Sequence, residues 1–199
     1  MPAYYRNTLE GFVADAFDRV LGIIHLESSK SGFTDLKESQ SKAWQLQLTI
    51  LQRSAASLMS RYQDASKWGL LFEYPIPRRQ KRIDVVLLVR DMVLCLEFKT
   101  SGATHEKSSA RQVEDYALDL RDFHEQSRDR TIIPIAVTIL AKPTTLDFGL
   151  SHAGRVQQVI SACEVDLTER LIWCVEHFSH GSDQIDVDEW DESVYEPVP

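Results

Sequence analysis

Asp84, Glu97 and Lys99 are the residues of this 199-residue chain best placed to do chemistry. They stand near the two ends of Arg82-Ile-Asp-Val-Val-Leu-Leu-Val-Arg-Asp-Met-Val-Leu-Cys-Leu-Glu-Phe-Lys99, which reads as two apolar strands joined by a tight turn. If the strands pair across a turn centred on Arg90 and Asp91, Asp84 lies opposite Glu97 and Arg82 opposite Lys99. Two carboxylates then share a face. Directly opposed like charges are unfavourable on a sheet, and a Val/Leu-rich hairpin offers nothing to hide them, so the pair asks for a compensating cation. A divalent metal supplies one. Lys99 lies two residues past Glu97 and projects to the same side, because side chains alternate along a strand.

The pairing depends on the turn. A two-residue turn and a four-residue loop over Val89 to Met92 give the same partners, whereas a three-residue loop shifts them by one. Arg-Asp lacks the Gly or Asn that primed turns prefer, which favours the wider loop and leaves the partners unchanged.

Other elements must hold these strands. Mixed apolar spacing predicts a helix near Leu9 to Leu26, with Gly11 and Gly22 weakening it. From Ser39 to Tyr62 the series Trp44, Leu48, Leu51, Ala55, Leu58, Tyr62 marks one apolar stripe of a longer helix that packs on the sheet. Gly69 to Tyr74 reads as a short strand ended by Pro75 and Pro77. The hairpin strands are apolar on both faces, so helices must cover both sides. A polar loop from Thr100 to Ser109 precedes a helix to about Glu125, with Val113, Tyr116, Ala117, Leu120 and Phe123 inward. Thr131 to Leu140 is a further buried strand in which Pro134 marks an irregularity or an edge. Two helices follow, one over Ala153 to Cys163 and one after Asp166 to about Phe178, with Glu169 in a capping-box-like place.

With 43% hydrophobic residues the chain can bury one good core. Its apolar runs fall well short of the roughly 20 residues that cross a bilayer, and Met-Pro-Ala-Tyr-Tyr-Arg is not a signal-peptide start, so a cytoplasmic location and no membrane partner are expected. Cys95, Cys163 and Cys174 are an odd number without a Cys-x-x-Cys, which argues against a disulfide framework. The net charge of -8 is local in origin: residues 181–199 hold seven acids and no Lys or Arg, and the rest is nearly neutral. Positive charge clusters beside the proposed site at Arg78, Arg79, Lys81 and Arg82, with Lys107 and Arg111 downstream, where phosphate contacts would be needed. The same cluster also suits a solubilising strand entry. Cys163, Cys174, His177 and His180 match no zinc-finger spacing, and there is no Gly-x-Ser-x-Gly or His-Glu-x-x-His.

Asp on one strand and Glu-x-Lys on the next, in the order helix, strand, strand pair, helix, strand, resembles the PD-(D/E)xK nuclease superfamily over about Gly69 to Leu140. Ile83-Asp84 stands where Pro-Asp often occurs, and Glu97-Phe98-Lys99 corresponds to the (D/E)xK element. Gln112-Val-Glu-Asp-Tyr116 is similar to the Gln-x-x-x-Tyr element of the RecB-like branch; one helical turn apart, Gln112 and Tyr116 can face one cleft. A narrower resemblance, carried by Glu38-Ser-Gln-Ser-Lys-Ala-Trp44, Trp68-Gly-Leu-Leu-Phe-Glu-Tyr74 and Gln112 to His124, is to the amino-terminal nuclease-like region of bacterial Schlafen-group-3-like helicase proteins, although this chain has no phosphate-binding Gly-x-x-x-x-Gly-Lys-Ser/Thr loop.

The resemblance implies a restriction-endonuclease-like α/β fold: a three-layer core at 65–180 with a mixed sheet flanked by helices, an N-terminal helical part at 1–64 packing on it, and an acidic tail or linker at 181–199. It also implies a nuclease that hydrolyses phosphodiester bonds in nucleic acid, DNA before RNA, with Mg²⁺ or Mn²⁺ held by Asp84, Glu97 and the Phe98 carbonyl, and with Glu38 or Glu73 as a further carboxylate. Lys99, Gln112 and Tyr116 complete the expected catalytic set. A helicase or ATPase partner, in cis or in trans, and a role in repair or phage defence would follow. Two other readings stay open: a catalytically silent module of the same fold that binds nucleic acid, and a domain that regulates an ATPase. The bland readings are solvated strand-end charges for the triad, an ordinary amphipathic helix for Gln112 and Tyr116, a helix-start acid for Glu38 and an edge-strand charge for Glu73.

Overall fold

A computed structural model describes residues 2–30, 38–77, 81–100, 103–139, 141, 154–181 and 183–196; at Thr100 and residues 103–107 it describes the backbone alone. The chain forms β1 (Tyr5–Thr8), α1 (Leu9–Ala14), α2 (Phe17–Lys30), α3 (Glu38–Arg61), β2 (Gly69–Ile76), β3 (Lys81–Val89), β4 (Met92–Thr100), α4 (Ala103–Phe123), β5 (Thr131–Ile139), β6 (Ile160–Cys163), α5 (Leu167–Phe178) and α6 (Val187–Asp191). One six-stranded sheet runs in the order β1 to β6, antiparallel as far as β4 and parallel from β4 to β6. It is the middle of three α/β layers. Leu70, Phe72, Val85, Leu87, Leu94 and Leu96 pack with the stripe Trp44, Leu48, Leu51, Ala55 and Leu58 of α3 and with Leu167 and Leu171 of α5. On the other side Leu71, Val86, Leu88, Val93 and Cys95 pack with Val113, Tyr116, Ala117 and Leu120 of α4 and with Trp190.

The expected hairpin register is present from Val89 opposite Met92 to Val85 opposite Leu96, but the ladder ends there, and the expected pairs Asp84 with Glu97 and Arg82 with Lys99 are not among its partners. The wider loop is not present. Arg90 and Asp91 alone make the turn, and Arg90 takes a positive φ of 54° that costs a non-glycine residue of order 1 kcal/mol or more. The C-terminal segment offsets that cost: the Arg90 N–H donates to Gln184 Oε1 at 3.0 Å, and its carbonyl accepts from the Ile185 N–H at 2.9 Å. Its guanidinium reaches both oxygens of Asp64, at 2.7 and 3.1 Å. Turn-residue statistics see none of these remote partners.

Five further expectations differ from the structure, the first being that α4 begins at Ala103, inside the span expected as a polar loop from Thr100 to Ser109. The N-terminal helix is preceded by a strand and divided at Asp15–Ala16; the turn is fixed by Asn7 and Asp15, and a Cβ on Gly11 would collide with the Asn7 side chain. β2 continues through Pro75, which pairs with Arg82. Its β1 pairing ends at Phe72, so the missing donor of Pro75 faces no neighbour strand. Residues 160–163 are a strand beside β5 and residues 154–159 are not helical, so the expected helix is absent; of its span only residue 153 lies outside the described part. Asp166 makes no capping bond; its carboxylate accepts from the Cys163 N–H and from Arg170.

The acidic end is packed. Arg6 pairs with Asp188, Asp191 and Glu192 at 2.8, 2.6 and 2.8 Å, and Trp190 is fully buried beside His124. Local acid content alone predicts a solvated tail, because the single Arg that gathers it lies on β1. Among the described residues no helix is long and apolar enough to cross a membrane.

Candidate active site

Alternation fails at one row of the sheet. On β3, Val85, Leu87 and Val89 face α3 while Val86 and Leu88 face α4, yet Ile83 also packs on the α4 side. On β2, Leu70 and Phe72 face α3, yet Tyr74 and Ile76 join the α4 side. Both strands thus change phase by one residue, at Asp84 on β3 and Glu73 on β2, and Glu73 has a positive φ of 52°. The register is equal on both sides of the fault, with Phe72 opposite Val85 and Tyr74 opposite Ile83.

The hairpin ladder also stops there. Counting alternate hydrogen-bonded pairs from Val89 and Met92, the next would be Ile83 with Phe98. Instead the Phe98 N–H donates to Asp84 Oδ2 at 2.8 Å. A side chain thus replaces the ladder, and the half-buried carboxylate is fixed by a backbone donor of the strand that carries Glu97 and Lys99.

Glu97 is 1% exposed and faces α4. Its Oε1 accepts from Lys99 Nζ at 2.7 Å and from Gln112 Nε2 at 2.8 Å, and Gln112 Nε2 also lies 2.7 Å from the Tyr116 hydroxyl. The helical spacing of Gln112 and Tyr116 thus makes one tie between α4 and the strand acid. Glu97 Oε2 is buried with no hydrogen-bond partner among the described residues. Leaving such an acceptor dry costs about 1–3 kcal/mol.

Electrostatics match this shortage of donors. Burial, then Glu97, then Glu73 push the Asp84 carboxyl well above the usual carboxylate range, and burial raises Glu97 despite the neighbouring ammonium. For Lys99 burial opposes the charge, but Glu97 outweighs it and holds the ammonium above its ordinary pKa. Lys99 is thus a cation and a donor in this state, not a base. Burial likewise raises the Tyr116 phenol, which stays protonated.

The other sequence candidates are placed as follows. Glu73 is buried but committed, with Oε1 accepting from Trp44 Nε1 at 2.8 Å and Oε2 from Arg82 Nε at 2.7 Å. Glu38 is exposed at the start of α3 and pairs with Lys42 at 2.6 Å. Lys81 and Arg111 are exposed, and Arg82 is held by Glu73. Arg78, Arg79 and the side chain of Lys107 lie outside the described residues. One residue was missed: Gln47 of α3, whose Nε2 lies 3.5 Å from Asp84 Oδ2. Its signal was a polar residue on the apolar stripe, three after Trp44 and four before Leu51.

Among the described residues no group of three or more His, Cys, Asp or Glu side chains is arranged to hold a metal. That agrees with Glu73 and Glu38 being engaged elsewhere. Two carboxylates, one of them with a buried oxygen unpaired among the described residues, still fit a hard cation, since Mg²⁺ is commonly bound through one or two carboxylates and keeps much of its water. None of the family models, curated proteins or solved structures compared with this chain matches it.

Proposed function

We propose that the chain is a divalent-cation-dependent nuclease, hydrolysing phosphodiester bonds in DNA or, second, RNA. The observation that carries this reading is the state of Glu97: one oxygen tied by Lys99 and Gln112, the other buried and unpaired among the described residues, on the strand whose backbone fixes Asp84. Asp91 Oδ1 is in the same state, but Glu97 also stands beside a second carboxylate that burial raises.

Asp84, Glu97 and the Phe98 carbonyl would hold Mg²⁺ or Mn²⁺. When bound, the cation supplies Lewis-acid charge at the phosphate and lowers the pKa of the attacking water. In the reaction the water oxygen bonds to phosphorus as the bond from phosphorus to the 3′ oxygen breaks. The 3′ oxygen takes up a proton, leaving a 3′-hydroxyl and a 5′-phosphate, the products that the family resemblance implies. Lys99 serves as a fixed donor to the charge that develops on the phosphoryl oxygens. Gln112 keeps Glu97 oriented and ties it to Tyr116. Lys81 and Arg111 give exposed charge for phosphate contacts. A helicase partner is what the narrower resemblance adds to this reading.

The test is incubation of the purified protein with single- and double-stranded DNA and RNA, with Mn²⁺ or chelator, beside Lys99→Ala and Asp84→Ala. Cleavage that needs Mn²⁺ and is lost in both variants supports the nuclease. Binding of nucleic acid without cleavage by the wild type would replace it with the silent binding module.

A further inference from the structure

Of the two polar side chains that α3 buries, Ser54 shares a hydrogen bond with Thr168 at 2.9 Å, but Gln47 is only half satisfied. Gln47 is 4% exposed. Its Nε2 points to Asp84 at 3.5 Å, and its Oε1 is buried without a donor among the described residues. Its neighbours on that helical face, Trp44 and Leu51, are core residues, so a Leu here would pack without stranding an amide oxygen.

The two atoms near Asp84 that lack a partner among the described residues are of one kind. Gln47 Oε1 and Glu97 Oε2 are both acceptors, and between them stands Asp84, which Gln47 touches from the α3 side and Phe98 from the strand. A surplus of buried oxygens around two raised carboxylates is resolved by a cation and its oxygen shell, not by another acceptor. A third carboxylate in place of Gln47 would add to the repulsion that Glu97 and Glu73 already exert on Asp84. An amide provides oxygen without charge, and its other end donates to Asp84.

The geometry points to Gln47 as the contribution of α3 to the cation site, placing a neutral oxygen in the coordination environment of the ion while its amide nitrogen orients Asp84. This rests on the cation reading of the Asp84–Glu97 pair. It makes ion binding join α3, the hairpin and, through Gln112, α4.

The test is Mn²⁺ titration of the full chain at pH 8, by electron paramagnetic resonance and calorimetry, for the wild type, Gln47→Leu and Gln47→Glu, with urea unfolding of each in chelator. Gln47→Leu should weaken Mn²⁺ by about tenfold, as is usual for residues that support a metal's ligands, while its metal-free unfolding midpoint stays level or rises. Gln47→Glu should keep or tighten Mn²⁺ affinity. If Gln47→Leu does not fold, Gln47→Met takes its place. A Leu or Met variant that binds Mn²⁺ within about twofold of the wild type overturns the role of Gln47 while leaving the cation site standing. So does one that loses ion affinity and metal-free stability together with no rescue by Glu. A wild type that takes up no Mn²⁺ overturns the cation site itself, and Gln47 with it.

Discussion

Asp84→Asn should make the metal-free protein more stable at pH 8. Asp84 is pushed upward by burial, by Glu97 and by Glu73, so its ionised form is strained in the native state. Two like charges about 5 Å apart repel by about 3 kcal/mol at an effective dielectric constant of 20, an upper figure here because Asp84 and Glu97 are not a paired row of the ladder. Lys99 beside Glu97 offsets part of that. Against the gain, the bond from the Phe98 N–H weakens when its acceptor becomes neutral, a loss of about 1 kcal/mol. The net is up to about 2 kcal/mol in favour of Asn. The pH sign follows from linkage. A carboxyl whose folded pKa is raised keeps its proton in the native state after the unfolded chain has lost it, so native stability falls as pH climbs from about 4 through the folded value. The advantage of Asn should therefore be small near pH 4.5 and larger at pH 8. Urea unfolding in chelator, followed by the fluorescence of buried Trp44 and Trp68, measures it. Mn²⁺ should stabilise the wild type and not the variant. An Asn variant less stable than wild type at pH 8, by the same amount at both pH values, would show that Asp84 is a structural anchor and refute the reasoning.

The remaining predictions follow from other contacts. Gln112→Ala leaves Glu97 Oε1 with Lys99 alone and should weaken Mn²⁺ by about tenfold, read by calorimetry. His124 is fully buried, with its Nε2–H donated to the Trp190 carbonyl and Nδ1 bonded to Ser127, and burial lowers its pKa to about 4. The unfolded chain binds the proton first, so up to about 3 kcal/mol of stability is present above pH 6.5 and lost as pH falls toward 4. His124→Gln should flatten urea midpoints across that window, and an unchanged slope would refute it. Trp190→Ala should cost about 3–5 kcal/mol and speed amide exchange in residues 183–196, whose packing it anchors.

Local pattern carried far in this chain. The α3 stripe, the hairpin pairing, Lys99 beside Glu97 and the turn from Gln112 to Tyr116 all rest on periodicity within one or two elements, and side chains alternate or recur there by geometry alone. What escaped depends on partners remote in sequence. The tight turn at Arg90 needs Gln184, Ile185 and Asp64; the packed acidic end needs Arg6; Glu73 is withdrawn from the carboxylate row by Trp44 and Arg82. β6 was legible in principle, since Ile160 and Ala162 are buried and Ser161 is exposed, but four residues are too few for the period to outweigh a helical window.

The phase fault explains how the candidate site can exist in so apolar a sheet. A regular ladder would spend the Phe98 N–H on the Ile83 carbonyl and leave Asp84 as a side chain with no backbone donor. Shifting one strand alone would carry its later apolar residues to the wrong layer relative to its partner. Both β2 and β3 shift at facing positions, so Tyr74 and Ile83 leave the α3 core for the α4 core together and remain paired. The shift needs a non-glycine residue at positive φ, and Glu73 is held in it from two sides by Trp44 and Arg82. In that light Glu73 serves the site by strain rather than by ligation: its carboxylate pins the fault that releases Asp84 toward Phe98. Glu73→Gln keeps one acceptor, for the Trp44 N–H, but sets an NH2 against the Arg82 guanidinium, so it should weaken Mn²⁺ binding only in part, whereas Glu73→Ala should lose it with little change in the α4 packing. Loss in both variants, with the fold intact by circular dichroism, would return Glu73 to the ligand set.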